Sequence, residues 1–143
     1  MHIRKAQEKD LNPIRELLKS LKLPVDGVED HFDHFSVLIE DDSIVGTVGL
    51  EVYGPKALLR SLGVCKDHQS KGHGRQLYEQ AMKEAYLKRI NEVFLLTETG
   101  EGFFSKAGFE RIAREDVDEC VKVSAEFQYC CPTSAVCMRK RIV

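Results

Sequence analysis

The chain predicts one domain that packs helices against a sheet, of α/β or α+β class, and three observations carry that expectation. Segments with period-two apolar spacing alternate along the chain with segments of helical spacing. Two tight-turn sequences, Asp41-Asp42-Ser43 and Gly54-Pro55, separate three closely spaced strand candidates. The 143 residues, 43% hydrophobic and 31% charged, suffice to bury one core, and no repeat, low-complexity segment or long linker divides them.

Taken in order, residues 3–6 read as a short first strand. Asp10 is then a helix N-cap, because Leu11, Ile14, Leu17, Leu18 and Leu21 follow as an apolar stripe until Leu23-Pro24 stops it. Residues 28–35 form a short helix or lip. Strands at 36–40, 44–53 and 56–64 make an antiparallel meander across the two turns. A glycine-bearing loop, 69–74, opens a long amphipathic helix that ends near Arg89, with Leu77, Tyr78, Ala81, Met82 and Ala85 inside and Lys83, Glu84 and Lys88 outside. Residues 93–97 read as a buried strand and 101–107 as a short helix stopped by Gly108. Two last strands fall at 109–113 and 135–140, with a polar, partly helical stretch at 116–127 between them.

Composition excludes several functions. A net charge of −2 and the lack of a basic tract argue against a nucleic-acid partner. No apolar run approaches the ~20 residues that span a bilayer, and Met1-His2-Ile3-Arg4-Lys5 lacks the apolar stretch of a signal peptide. The expected location is the cytoplasm, away from membranes. Five cysteines, Cys65, Cys120, Cys130, Cys131 and Cys137, are odd in number and clustered late, so reduced thiols are expected. Adjacent Cys130 and Cys131 point opposite ways in an extended chain and chelate poorly. His31 and His34 have no further ligand in reach and read as the polar edge of a short helix. No metal is expected.

Gln69-Ser70-Lys71-Gly72-His73-Gly74 carries the chemistry. A helix start leaves several backbone N–H groups unpaired, and its dipole favours an anion. Glycines at 72 and 74 let a diphosphate approach the backbone, and Lys71 and Arg75 add positive charge. Ordinary helix starts also use glycine. A dinucleotide fingerprint is not met, since its third glycine falls at Leu77.

That segment resembles the Q/R-x-x-G-x-G/A signature of the GNAT acetyltransferase superfamily, the element order matches, and Phe103-Phe104-Ser105-Lys106-Ala107-Gly108-Phe109 is similar to the same family's F-Y-x-K-x-G-F segment. Residues 49–54 with 57–62, residues 95–99 leading to Phe103-Phe104, and the tail from Glu126-Phe127 through Cys131-Pro132-Thr133-Ser134-Ala135 to Met138 look like one sub-group. It comprises the amino-acid N-acetyltransferases of arsenic-resistance operons and, more distantly, the N-acetylglutamate synthases.

The resemblance implies the α+β GNAT fold, a mixed and mostly antiparallel sheet splayed at its middle with flanking helices. It implies acetyl-CoA as cosubstrate and a small-molecule amine, an amino acid or an analogue, as acceptor. The pantetheine would lie between the strand ending at Val64 and the one starting at Val93, against backbone near Leu62 and Val64, with the acetyl carbonyl polarised by an N–H there. The coenzyme residues carried over are Leu62, Val64, Gln69, Lys71, Gly72, His73, Gly74, Arg75 and Phe104. A homodimer is a further implication.

Phe104 stands where many relatives carry the tyrosine that protonates the leaving thiolate. A thiol of pKa ~8.5 is a tolerable leaving group without it. Thr97 stands where the wider family often has asparagine, and Thr97 and Thr99 offer hydroxyls to pantetheine or acceptor; strand propensity and helix capping account for them equally. Arg60 is the expected clamp for an acceptor carboxylate, with Ser61 beside it, or else a salt-bridged strand residue. Glu51, in an otherwise apolar strand, is the expected base, directly or through water, or else an exposed glutamate on the strand's other face. The competing functions are acetylation of a protein or peptide amine, and an acyl-CoA-binding sensor without catalysis.

Overall fold

Asp41 and Asp42 take the left-handed backbone conformation (φ 49° and 63°), as does Gly54 (φ 62°), and so fold residues 35–64 into two consecutive hairpins. In the computed structural model, which describes residues 1–130 and 135–142, these hairpins are strands β2 (Phe35–Glu40), β3 (Ser43–Tyr53) and β4 (Lys56–Val64). Strand β1 (His2–Lys5) pairs antiparallel with β2 at one edge. Helix α3 (His73–Leu87) carries the chain over to β5 (Glu92–Thr97), which runs parallel to β4. Strand β7 (Val136–Arg141) lies antiparallel to β5, and the short β6 (Glu110–Ile112) closes the other edge. The seven strands form one sheet in the order β1-β2-β3-β4-β5-β7-β6, with β4–β5 as its parallel pair. This is the mixed, mostly antiparallel α+β sheet with flanking helices that the resemblance implied.

Side-chain alternation gives the sheet two covered faces. Leu50, Leu59, Val93 and Leu95 meet the inner face of α3 through Leu77, Tyr78, Ala81 and Ala85. On the opposite face, helices α1 (Leu11–Ser20) and α2 (Val28–His31) cover Phe35, Val37 and Ile39 with Ile14, Leu18 and Val28. A separate cluster on that same face holds Leu58, Phe94, Val117, Val121 and Cys137. Between the two clusters the sheet presents Glu51 and Arg60, a polar gap in an otherwise apolar face.

The strand and helix expectations are met to within one or two residues. Asp10 is the N-cap residue of α1 but gives no side-chain cap to it. Its carboxylate instead pairs with Arg4 (2.7 Å) and accepts the Gln7 N–H (2.7 Å), ties that hold β1 to the start of α1. Residues 116–127 are helical only at their ends, where a 3-10 turn (Arg114–Asp116) closes and a π-helical turn (Glu126–Cys130) opens. Cys131, and with it any pairing of Cys130 and Cys131, lies outside the described residues. No helix among the described residues is long and apolar enough to cross a membrane.

Gly49 sits over Phe35, which is fully buried; a Cβ there would stand 2.3 Å from the Phe35 ring. Overfilling a packed core in this way costs about 1–3 kcal/mol. Gly49→Ala is therefore expected to lower the unfolding free energy by about that amount in urea titrations, with the denaturant slope unchanged.

Candidate active site

Strands β4 and β5 pair at three positions only, Lys56↔Glu92, Ala57↔Val93 and Leu58↔Phe94, and diverge beyond them. Over the same stretch β4 slips against β3. Gly49 faces Arg60, but Thr47 faces Gly63, so Ser61 and Leu62 together stand opposite Val48. This is a β-bulge, and Ser61 takes the left-handed conformation (φ 59°) to make it. A bulge takes backbone groups out of the ladder and re-aims the side chains beside them. A cavity of about 590 Å³ fills the wedge. Its walls are Leu59, Arg60, Ser61 and Leu62 from β4, Leu95, Leu96 and Thr97 from β5, Glu98 and Thr99 beyond it, Phe104 from α4 (Glu101–Lys106), the 21–24 segment after α1, and Glu126 with Ala135.

The glycine loop lies beyond the end of β4. Gln69 donates its side-chain N–H to the Val64 carbonyl (2.8 Å) and ties the loop to the strand. Gly72 is the N-cap of α3 at φ 86°, and no side chain caps the helix. A Cβ at Gly72 or Gly74 would meet nothing within 4 Å, so the space above both is open. The first-turn N–H groups of α3 thus face an open approach, with exposed Lys71 beside them. Arg75 is exposed and paired with Glu79 (3.1 Å), and the His73 ring contacts Gln76 (3.2 Å).

The polar gap is built around Arg60, which is 3% exposed. Its Nη1 donates to Glu51 (2.8 Å) and to the Asp26 carbonyl (2.7 Å), its Nη2 to the Pro24 carbonyl (3.3 Å), and its Nε to Ser61 Oγ (3.0 Å). Glu126 Oε2 lies 3.3 Å from the same Nε. Glu51 is fully buried; it also accepts the Tyr53 hydroxyl and has His31 Nε2 at 3.6 Å. Burial and the Glu51 carboxylate push the Tyr53 phenol up. Burial, opposed by Arg60 and helped by Glu51, raises the Glu126 carboxyl to about 7. One guanidinium is shared by two buried carboxylates, and the second ionises against the odds.

The wedge thus brings together Ser61, Leu62, Thr97, Thr99 and Phe104 of the sequence-derived candidates, and Arg60 forms part of its wall. Thr97 also accepts the Gly100 N–H (2.8 Å), a cap for the turn into α4. Phe104 belongs to an aromatic group with Phe103, Phe109 and Tyr78 at ring separations of 5.1, 5.7 and 6.2 Å. Val64 and the 69–75 loop sit beyond the mouth, and Glu51 lies behind Arg60 rather than on the cavity wall. Sequence reasoning missed Glu126, Glu98 and Lys22, which line the wedge from segments without a periodic pattern. His31 and His34 reach Glu51 and Glu84 (3.6 and 3.8 Å). Among the described residues no group of three or more His, Cys, Asp or Glu side chains is arranged to hold a metal.

A family model described as an acetyltransferase (GNAT) domain matches residues 31–111. An uncharacterized N-acetyltransferase of Chlorobaculum tepidum is 34% identical over 96 residues, 66% of this chain and 61% of the relative. An uncharacterized protein of Bacillus subtilis is 31% identical over 113 residues, 76% of each chain. Among solved structures, the N-acetylglutamate synthase of Neisseria gonorrhoeae, complexed with coenzyme A and N-acetyl-glutamate, matches with a TM-score of 0.83 at 20% identity. That match covers 98% of this chain and 34% of the synthase. A Mycobacterium tuberculosis protein in complex with CoA and NLQ matches with a TM-score of 0.82 at 22% identity, covering 100% of both chains. The chain therefore spans 61% of the Chlorobaculum relative and about a third of the synthase, and the structural likenesses establish the fold.

Two measurements probe the polar gap. Arg60→Met strands two buried carboxylates without their cation, a loss expected to cost about 3–5 kcal/mol of unfolding free energy in urea. The raised Glu126 pKa also sets a pH dependence. In the unfolded chain a glutamate titrates at about 4.3, so between there and about 7 the folded protein holds the extra proton. Stability from this group is present at the acid end and falls as pH rises through that window. Glu126→Gln removes the titration, so its melting temperature is expected to gain on the wild type between pH 5 and pH 8.

Proposed function

The chain belongs to the GNAT acetyltransferase family, and on that footing we propose that it transfers an acetyl group from acetyl-CoA to the amine of a small acceptor, an amino acid or a close analogue. The observation that carries this is the bulged edge of β4, open to the wedge past Leu58 and leading to an uncapped helix start with two open glycines.

In this proposal the diphosphate lies against the first-turn N–H groups at 72–75, where the helix dipole favours an anion and Lys71 adds charge. Gln69 holds that loop against Val64, and His73 and Arg75 border it. The pantetheine follows the free edge of β4 past Val64 to Leu62. A backbone N–H released by the bulge meets the acetyl oxygen and stabilises the negative charge that develops there. Phe104 and its aromatic neighbours form an apolar wall that excludes water from the thioester. Ser61, Thr97 and Thr99 flank the space left for the acceptor.

Glu51 and Glu126, joined through Arg60, supply the charge that draws an ammonium and the base that deprotonates it. Because Arg60 is already shared by both carboxylates, a carboxylate on the acceptor competes for it. Exposed Lys22, on the rim of the wedge, is a second cation for such a group. An amino-acid acceptor fits this pairing of an anionic wall with cations near by. It also agrees with the sequence likeness to the amino-acid N-acetyltransferases of arsenic-resistance operons. Phe104, in place of the usual tyrosine, favours one alternative, an acyl-CoA sensor that binds without turnover.

The separating experiment is thiol release from acetyl-CoA against a panel of L-amino acids and analogues, with product mass identifying the acetylated species. Acetyl-CoA binding without release against any amine selects the sensor; no binding removes both proposals. A matched variant is Gly74→Asp. The new carboxylate enters open space and suits a helix N-terminus, so the melting temperature should hold. Its charge opposes the diphosphate, so the KM for acetyl-CoA should rise about tenfold or more.

A further inference from the structure

Two carboxylates share Arg60, and the geometry divides their work. Glu51 is fully buried behind the guanidinium and receives Arg60 Nη1 (2.8 Å) and the Tyr53 hydroxyl, with His31 Nε2 at 3.6 Å. Each of its two oxygens accepts one hydrogen bond, and His31 stands on a third side. Glu126 forms part of the cavity wall with Ser61 and Thr97, and its side chain has one polar contact among the described residues, Arg60 Nε at 3.3 Å. A carboxylate offers roughly four acceptor positions, so Glu126 has capacity left where an acceptor would stand.

We propose that Glu126 is the catalytic base of this site, taking the proton of the acceptor's ammonium, while Glu51 is a positioning residue that fixes Arg60. The assignment rests on the acetyl-transfer proposal above. Arg60 carries one positive charge against two buried carboxylates, so the cluster lacks one cation. An ammonium entering the wedge supplies it. The charged groups acting on Glu126 are Arg60 from β4 and Glu51 from β3; behind them Tyr53 from β3 and His31 from α2 contact Glu51, and Glu98 and Lys22 line the wedge beyond. Burial holds Glu126 at about 7, where it is part ionised at neutral pH and so able both to take a proton and to return it to solvent.

Glu126 accepts one proton from R–NH3+ to leave R–NH2 and a neutral carboxyl. The amine lone pair forms the C–N bond to the acetyl carbon, and the C–S bond breaks with its electron pair on sulfur. The second N–H proton ends on that sulfur as the CoA thiol. Glu126 then releases its proton to water.

The test uses Glu126→Gln and Glu51→Gln with an amino acid that the wild type acetylates, and records kcat/KM from pH 5.5 to 9.5 with melting temperatures in parallel. Glu126→Gln is expected to lose about 100-fold in kcat at pH 7, with the KM for acetyl-CoA within threefold. Its acid limb near pH 7 should disappear, and the deficit should shrink at high pH as the free amine becomes abundant. Glu126→Asp should restore the limb at reduced kcat, and it reports on the same role if the glutamine variant folds poorly. Glu51→Gln should melt lower and keep the limb. A wild-type pH profile in Glu126→Gln, a deficit equal at every pH, or a limb lost in Glu51→Gln but kept in Glu126→Gln would each overturn the assignment. A wild type inactive toward every amine defeats the acetyl-transfer proposal itself, and the role of Glu126 falls with it.

Discussion

The end of β4–β5 pairing at Leu58 and Phe94 is the constraint on which the other features depend. A parallel pair that stayed zipped would fill the wedge with backbone and leave no free strand edge. Two forces keep it open. The bulge at Ser61 and Leu62 bends β4 away and adds local twist. Strand β5 cannot follow, because six register positions with β7, from Glu92↔Arg141 to Thr97↔Val136, hold its other edge. The cavity is therefore the product of two strands each committed to a different neighbour.

Such a wedge needs walls that do not collapse, and the two faces solve this differently. On the α3 face, Phe104 stands in an aromatic group whose edge-to-face contacts with Phe103 and Phe109 fix its ring. On the other face the wall is ionic. Arg60 donates to the Pro24 and Asp26 carbonyls and to Glu51, and Glu126 lies beside its Nε, so three other stretches of chain meet on one guanidinium. Buried ion clusters of this kind add little net stability but penalise any arrangement that leaves a member unpaired. That suits a site whose geometry must be specific more than it must be strong.

Much of this was legible in the sequence, because local chemistry decides it. The turns at 41–43 and 54–55 fix the meander. Once the hairpin register is set by Tyr53↔Lys56, Glu51 faces Leu58 and lies diagonal to Arg60. The Glu51–Arg60 contact follows from counting alternate residues. The place of the loop at 69–74 was readable because its glycines stand between a strand pattern and the apolar stripe of a long helix. Glu126 was not, since residues 116–127 have no apolar period and it reaches the wedge by crossing the sheet. The bulge was hidden as well: Ser61 is an ordinary strand residue, and only the slip between Gly49↔Arg60 and Thr47↔Gly63 reveals it.

The rims of the sheet carry one more consequence. Strand β1 has four residues, two of them Arg4 and Lys5, and β6 has three, led by Glu110 and Arg111. Short, charged margins are poor templates for another chain to extend by main-chain hydrogen bonding. A sheet left unzipped at its centre thus has its outermost strands made unattractive to stray β-segments.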